Sequence, residues 1–96
     1  MSERHYVYII ECSDHTWYTG YTNNLLRRIE KHNEGKGAKY TRGRGPVTLV
    51  WEESFESKTE AMKLEYALKK MPRAKKEEYV HERRATVYAT AKKLSD

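Results

Sequence analysis

The chain has 96 residues, 34% charged and 38% apolar, which suffices for one small domain and excludes a multidomain enzyme. No apolar run reaches the ~18 residues of a membrane-crossing helix. The apolar stretch over residues 6–10 is too short for a secretory signal and no small-residue cleavage site follows it, so a cytoplasmic home is expected. Lys and Arg number 19 against 14 Asp and Glu, a net charge of +5. Cys12 is the sole cysteine, which excludes an internal disulfide and a cysteine-based zinc site.

Residues 6–12, YVYIIEC, are β-branched and aromatic and predict a mostly buried strand. Ser13, Asp14 and His15 are turn residues, and residues 16–20, TWYTG, predict a second strand closing a hairpin. Thr22 or Asn23 is suited to cap a helix over residues 25–32, whose buried face carries Leu25 and Ile29. A basic, glycine-rich loop, GKGAKYTRGRGP, follows over residues 35–46. Residues 47–52, VTLVWE, predict a third strand. Ser57 and Glu60 form a capping box for a second helix with the stripe Ala61, Leu64, Leu68 and Met71, stopped by Pro72. A polar helical tail over residues 73–94 has a thin stripe of Val80, Val87, Ala91 and Leu94. The predicted order is β-β-α-β-α-α: an α+β domain, with a three-stranded antiparallel sheet flanked by helices. The whole chain, 1–96, is expected to be one domain.

Charge is concentrated rather than spread. Residues 27–44 hold seven basic side chains (Arg27, Arg28, Lys31, Lys36, Lys39, Arg42 and Arg44) against Glu30 and Glu34, which alone gives +5. Lys69, Lys70, Arg73, Lys75 and Lys76 form a second cluster. Such clustering suits a phosphate backbone; its bland alternative is a solvated, solubilising surface. Neither cluster sits on a strongly apolar helix, so no membrane partner is expected.

Three features carry chemistry. Glu65 falls on the apolar stripe of its helix, between Ala61 and Leu68. A carboxylate there requires a partner, either an arginine at the edge of the stripe or a cation. Arg28 and His32 lie one helical turn apart: arginine forks onto phosphate oxygens, and histidine orients water or moves protons near neutral pH, although a polar helix edge has the same spacing. Tyr8 and Tyr18 approach each other across the hairpin, where most buried tyrosines have structural partners.

Tyr6-Val7-Tyr8, Tyr18-Thr19-Gly20, Arg28, His32 and Glu65, in this order, resemble the GIY-YIG nuclease superfamily. The most specific stretch is YTGYTNNLLRRIEKHN over residues 18–33. TRGRGP at 41–46 and EAMKLEYALKK at 60–70 resemble the branch of small stand-alone bacterial members and the catalytic subunit of the eukaryotic structure-specific endonuclease. The resemblance spans a core of about residues 6–79, leaving a tail over 80–96. It implies a three-stranded sheet flanked by helices and phosphodiester hydrolysis with one divalent metal, Mg²⁺ or Mn²⁺. It implies Glu65 as the metal ligand, Arg28 on the phosphate, Tyr18 activating the attacking water, Tyr8 supporting it, His32 in the site and Gly20 leaving room for it. Beside Arg28 and a metal ion the tyrosinate of Tyr18 is expected to be favoured. Arg27, Lys31, Lys39, Arg42, Arg44, Lys69 and Lys70 are the expected nucleic-acid contacts, with branched or distorted DNA as substrate. Tyr6 and Val7 replace the Gly-Ile of the first family motif, Thr19 replaces the Ile of the second, and a late asparagine found in some members has no match. No accessory DNA-binding domain is evident, so a protein partner supplying substrate choice is expected. The alternative is a nucleic-acid-binding module of the same fold that does not cut, or cuts only with a partner.

Overall fold

Four consecutive residues of the first strand, Val7, Tyr8, Ile9 and Ile10, are buried. Burial of both faces makes β1 (His5–Glu11) the middle of the sheet. The computed structural model describes residues 3–38 and 41–95, with side chains described as far as residue 85. β2 (Trp17–Thr22) and β3 (Thr48–Phe55) flank β1 in the order β2-β1-β3, and both pairings are antiparallel. Three helices complete the described residues: α1 (Leu25–Asn33), α2 (Lys58–Lys70) and α3 (Arg73–Ser95). The order β-β-α-β-α-α and the α+β class are those the sequence predicts.

The period-two alternation of β1 divides the core between the two faces. Val7 and Ile9 pack with Ala61 and Leu68 of α2 and Val80 of α3, and with partly buried Trp17, Trp51, Phe55 and Tyr79. Tyr8, Ile10 and Cys12 pack on the opposite face with Val47, Tyr18 and, from α1, Leu25 and Ile29. Two of the stripes read from the sequence therefore meet opposite sides of one sheet.

Several boundaries differ from expectation, each for a local reason. β2 runs past Gly20 to Thr22 because Tyr6 pairs with Thr22. β3 extends to Phe55, opposite His5, and one extra residue, Val50, sits at a bulge between the Ile9–Trp51 and Ile10–Leu49 pairs. Asn24, rather than Thr22 or Asn23, caps α1: its side chain accepts the Arg27 N–H at 3.3 Å. Thr22 supports that turn instead, accepting the Asn24 N–H at 3.1 Å. Ser57 caps α2 through the Glu60 N–H at 3.3 Å, and Pro72 separates α2 from α3.

Arg73 fastens the start of α3 to the hairpin. Its guanidinium lies 4.1 Å from the Trp17 ring centre and donates to the His15 carbonyl at 2.9 Å. Lys76 donates to Thr19 at 3.1 Å. In the tail, Val80 is buried; the side chains of the predicted stripe at Val87, Ala91 and Leu94 lie outside the described residues.

Candidate functional site

Tyr8 leaves the middle of β1 on the α1 side, directly opposite Gly20 of β2. The glycine is required by space. A Cβ at position 20 would touch the Tyr8 hydroxyl and lie 2.5 Å from Tyr8 Cζ and 3.0 Å from Tyr18 Cε2. The Tyr8 ring thus lies across β2 next to Tyr18, their ring centres 6.3 Å apart.

The last turn of α1 inserts His32 beneath these rings. Its side chain is 1% exposed although histidine is polar, and both ring nitrogens have partners. Nε2 and the Tyr8 hydroxyl share a hydrogen bond of 2.9 Å; Nδ1 and the Thr41 hydroxyl share one of 2.8 Å. The Tyr18 ring centre is 5.5 Å from that of His32. One turn earlier, Arg28 donates from Nε to the Tyr8 hydroxyl at 3.4 Å and also interacts with the Tyr18 hydroxyl. Tyr8, Tyr18, Arg28 and His32 therefore form one contiguous cluster.

Its electrostatics follow from burial. Desolvation raises the pKa of Tyr8 above the ordinary phenol value, outweighing the Arg28 hydrogen bond and charge that oppose it. At Tyr8, therefore, burial overrides the lowering that Arg28 exerts. The pKa of His32 is held below the usual imidazole value, first by burial and then by the Arg28 charge, so the ring is neutral at pH 7.

Glu65 comes from α2, which covers the other face. Its side chain is only 13% exposed, and its nearest ionic partner is Lys69 at 3.6 Å, one turn along the helix. Burial is the chief cause of the raised pKa of Tyr8 and of Tyr21, and the Glu65 carboxylate adds the last and smallest upward push to each. Among the described residues, no three His, Cys, Asp or Glu side chains converge as a metal cage. The donor set is a single carboxylate. That fits Mg²⁺ or Mn²⁺, which bind through one or two carboxylates, waters and phosphate oxygens, and does not fit a structural zinc.

The expected nucleic-acid contacts separate into groups. Arg27 and Lys31 line a hollow of about 200 Å³ together with Arg28, Thr22, Asn23 and Asn24, which continues the site outward. Arg42 is exposed on the loop. Arg44 is engaged by Asp14 at 3.0 Å and by the Thr16 hydroxyl at 3.4 Å, which fastens the loop to the β1–β2 turn. Lys39 lies outside the described residues. Lys69 pairs with Glu65, and Lys70 lies 4.2 Å above the Tyr66 ring. A roomier hollow of about 460 Å³ on the outer side of α2, lined by Lys58, Thr59, Met62, Lys63 and Tyr66, is remote in character from the cluster: it contains no carboxylate and no histidine.

Two participants escape a reading by residue type. Thr41 is 1% exposed and donates to the Ala38 carbonyl at 2.9 Å while meeting His32. Gly37 lies against the His32 ring: a Cβ there would touch Nδ1 and lie 2.8 Å from Cγ. Neither carries a spacing signal, because both belong to an aperiodic loop. Only the TRGRGP resemblance draws attention to Thr41.

Residues 4–78 match the model of the GIY-YIG catalytic domain. The UPF0213 protein YazA of Bacillus subtilis is 52% identical over 83 residues, covering 86% of this chain and 84% of the relative. The UPF0213 protein VNG_2274C of Halobacterium salinarum is 63% identical, covering 76% and 95%. The solution NMR structure of the UPF0213 protein BH0048 from Bacillus halodurans is similar at a TM-score of 0.56 and 60% identity, covering 81% of this chain and 83% of that one. The solution NMR structure of EF2693 from E. faecalis is similar at a TM-score of 0.62 and 43% identity, covering 85% and 88%. With the motif tyrosines, Arg28 and His32 gathered in one cluster and the family model matching most of its length, the chain belongs to the GIY-YIG catalytic domain family.

Proposed function

We propose that the protein is a divalent-metal-dependent endonuclease that hydrolyses phosphodiester bonds in branched or distorted DNA. The observation that carries this is the joining of Tyr8, Tyr18, Arg28 and His32 in one hydrogen-bonded and ring-packed cluster on a GIY-YIG catalytic domain. Phosphodiester hydrolysis requires a positioned water, a donor to the equatorial oxygens and a counter-charge for the leaving oxygen.

Each requirement has a residue. The Arg28 guanidinium is braced by Tyr8 and opens toward the basic hollow, where it would donate to the scissile phosphate. Tyr8 is fully buried and already bonded to both His32 and Arg28, so it organises the site. Tyr18 is only partly buried and lies against Tyr8 and His32; its hydroxyl would orient the attacking water and draw off its proton. Glu65 would hold the cation, which supplies positive charge opposite the developing phosphate charge. Arg27 and Lys31 would grip the flanking backbone.

A second reading has its own observation. Lys69 pairs with Glu65 at 3.6 Å, an arrangement that a nucleic-acid-binding module without cutting activity would also accommodate. Lys69 is half exposed while the Glu65 carboxylate is largely covered, so a divalent cation binding there would have to displace the ammonium at 3.6 Å. The test is a panel of labelled duplex, flap, fork and junction substrates with Mn²⁺. Metal-dependent cutting of a branched substrate supports the enzyme; binding without cutting across the panel supports the module.

A further inference from the structure

The buried hydrogen-bond chain has a direction, and Thr41 sets it. Thr41 has one hydroxyl proton, and it donates to the Ala38 carbonyl at 2.9 Å, a group that can only accept. The Ala38 carbonyl also receives the Thr41 N–H at 3.0 Å, and its second lone pair takes the hydroxyl proton. With its proton so placed, the Thr41 oxygen accepts from His32, 2.8 Å away, which puts the His32 proton on Nδ1. The ring is neutral, so Nε2 presents a lone pair, 2.9 Å from the Tyr8 hydroxyl. Tyr8 then donates to Nε2, and its oxygen accepts from Arg28 Nε at 3.4 Å. Every donor in the series Arg28, Tyr8, His32, Thr41 meets one acceptor, and the series ends at the Ala38 carbonyl. The opposite tautomer breaks this order. It would turn an Nε2–H toward a phenol oxygen already facing Arg28, leave the phenol proton without its acceptor, and pull the Thr41 proton from Ala38.

We infer that Thr41 is a positioning residue, which fixes His32 as the Nδ1–H tautomer and thereby makes Nε2 the acceptor for the Tyr8 proton. The glycine-rich loop thus has a role distinct from backbone binding: it closes over His32 with Gly37 against the ring and Thr41 at its far nitrogen. With its proton pointed at Nε2, Tyr8 keeps its oxygen lone pairs toward Arg28 and holds the guanidinium in place. The proton on Nδ1 stands on the hydrogen-bond geometry and the bare Nε2 on the neutrality of the buried ring; the consequence for cleavage rests on the nuclease reading.

The test uses the full chain labelled with ¹⁵N. Long-range ¹H–¹⁵N spectra of the His32 ring at pH 7.5 report the tautomer directly. Wild type and Thr41→Ser are expected to show a protonated Nδ1 and a bare Nε2. Thr41→Val, which is nearly isosteric but has no acceptor, is expected to lose that pattern and move toward Nε2–H. An Nε2–H tautomer in wild type overturns the inference, even if Thr41→Val does not fold. So does an unchanged Nδ1–H pattern in folded Thr41→Val. Single-turnover cleavage is then compared, with a fall of about 10–100-fold expected for Thr41→Val, the scale seen when a metal-bound histidine loses its outer hydrogen-bond partner, and near-wild-type rates for Thr41→Ser. Equal rates in wild type and Thr41→Val overturn the positioning role and leave the nuclease reading standing. A wild type that cuts nothing refutes the nuclease reading, while the spectra still decide the tautomer.

Discussion

Gly20→Ala adds one methyl group at the tightest point of the site. The new carbon would lie 2.5 Å from Tyr8 Cζ, well inside van der Waals contact, with Tyr18 Cε2 at 3.0 Å on its other side. Tyr8 cannot retreat: it is 0% exposed and bonded to His32 at 2.9 Å. Overpacking of this kind costs about 1–3 kcal/mol, and a displaced Tyr8 loosens a buried hydrogen bond worth about 1 kcal/mol. Against this, replacing glycine stiffens the unfolded chain and returns about 0.4–1 kcal/mol. The net loss is about 1–3.5 kcal/mol, or a fall in Tm of about 4–28 °C at roughly 4–8 °C per kcal/mol for a domain of this size. Gly45→Ala is the control, since its nearest foreign atom would be the Asn33 carbonyl oxygen at 4.0 Å; it should stay within about 0.5 kcal/mol of wild type. Thermal and urea melts of the three proteins decide the matter. A Gly20→Ala protein as stable as wild type would refute the claim that close approach of Tyr8 dictates the glycine.

Tyr18→Phe removes one oxygen and should lower single-turnover cleavage by ~10²–10⁴-fold with little change in DNA affinity; equal rates would reject Tyr18 as the group that activates water. Arg27→Ala combined with Lys31→Ala should reduce the slope of log K against log salt by about 1.8, at ~0.9 per phosphate contact, and an unchanged slope would remove the hollow from the DNA path. The neutral form of His32 is favoured by folding, so the unfolded chain takes up more protons as pH falls. The His32 contribution to stability is whole above pH ~6.5, the unfolded value, and is lost below it; an NMR titration midpoint for His32 at or above ~6.5 would contradict this.

The sequence is most legible where a local rule acts alone. The YVYIIEC run, the Ser57–Glu60 pair and Pro72 each specify an element without help from distant residues, and each forms where predicted. Glu65 on an otherwise apolar stripe announces itself by its mismatch with that stripe. What escaped is tertiary. Asn24 rather than Thr22 caps α1 because the strand pairing of Thr22 with Tyr6 continues up to the helix. In the basic cluster beside Pro72, the packing of Arg73 on Trp17 and the bond from Lys76 to Thr19 have no signal in the composition that singles the cluster out. Arg44 likewise answers Asp14 across the fold. Thr41 and Gly37 owe their places to a loop folding back over His32, a contact with no periodicity to betray it.

The proposed nuclease activity depends on Glu65 holding the divalent cation. The decisive experiment is single-turnover cutting of a branched substrate by wild type and Glu65→Gln, with Mn²⁺ and with chelator, alongside a melt of each protein. Glu65→Gln should leave Tm within a few degrees, because the carboxylate's only described ionic contact is the half-exposed Lys69. Metal-dependent cutting by wild type and its loss in Glu65→Gln is the predicted result. Undiminished cutting by folded Glu65→Gln, or wild-type cutting that persists in chelator, would contradict it.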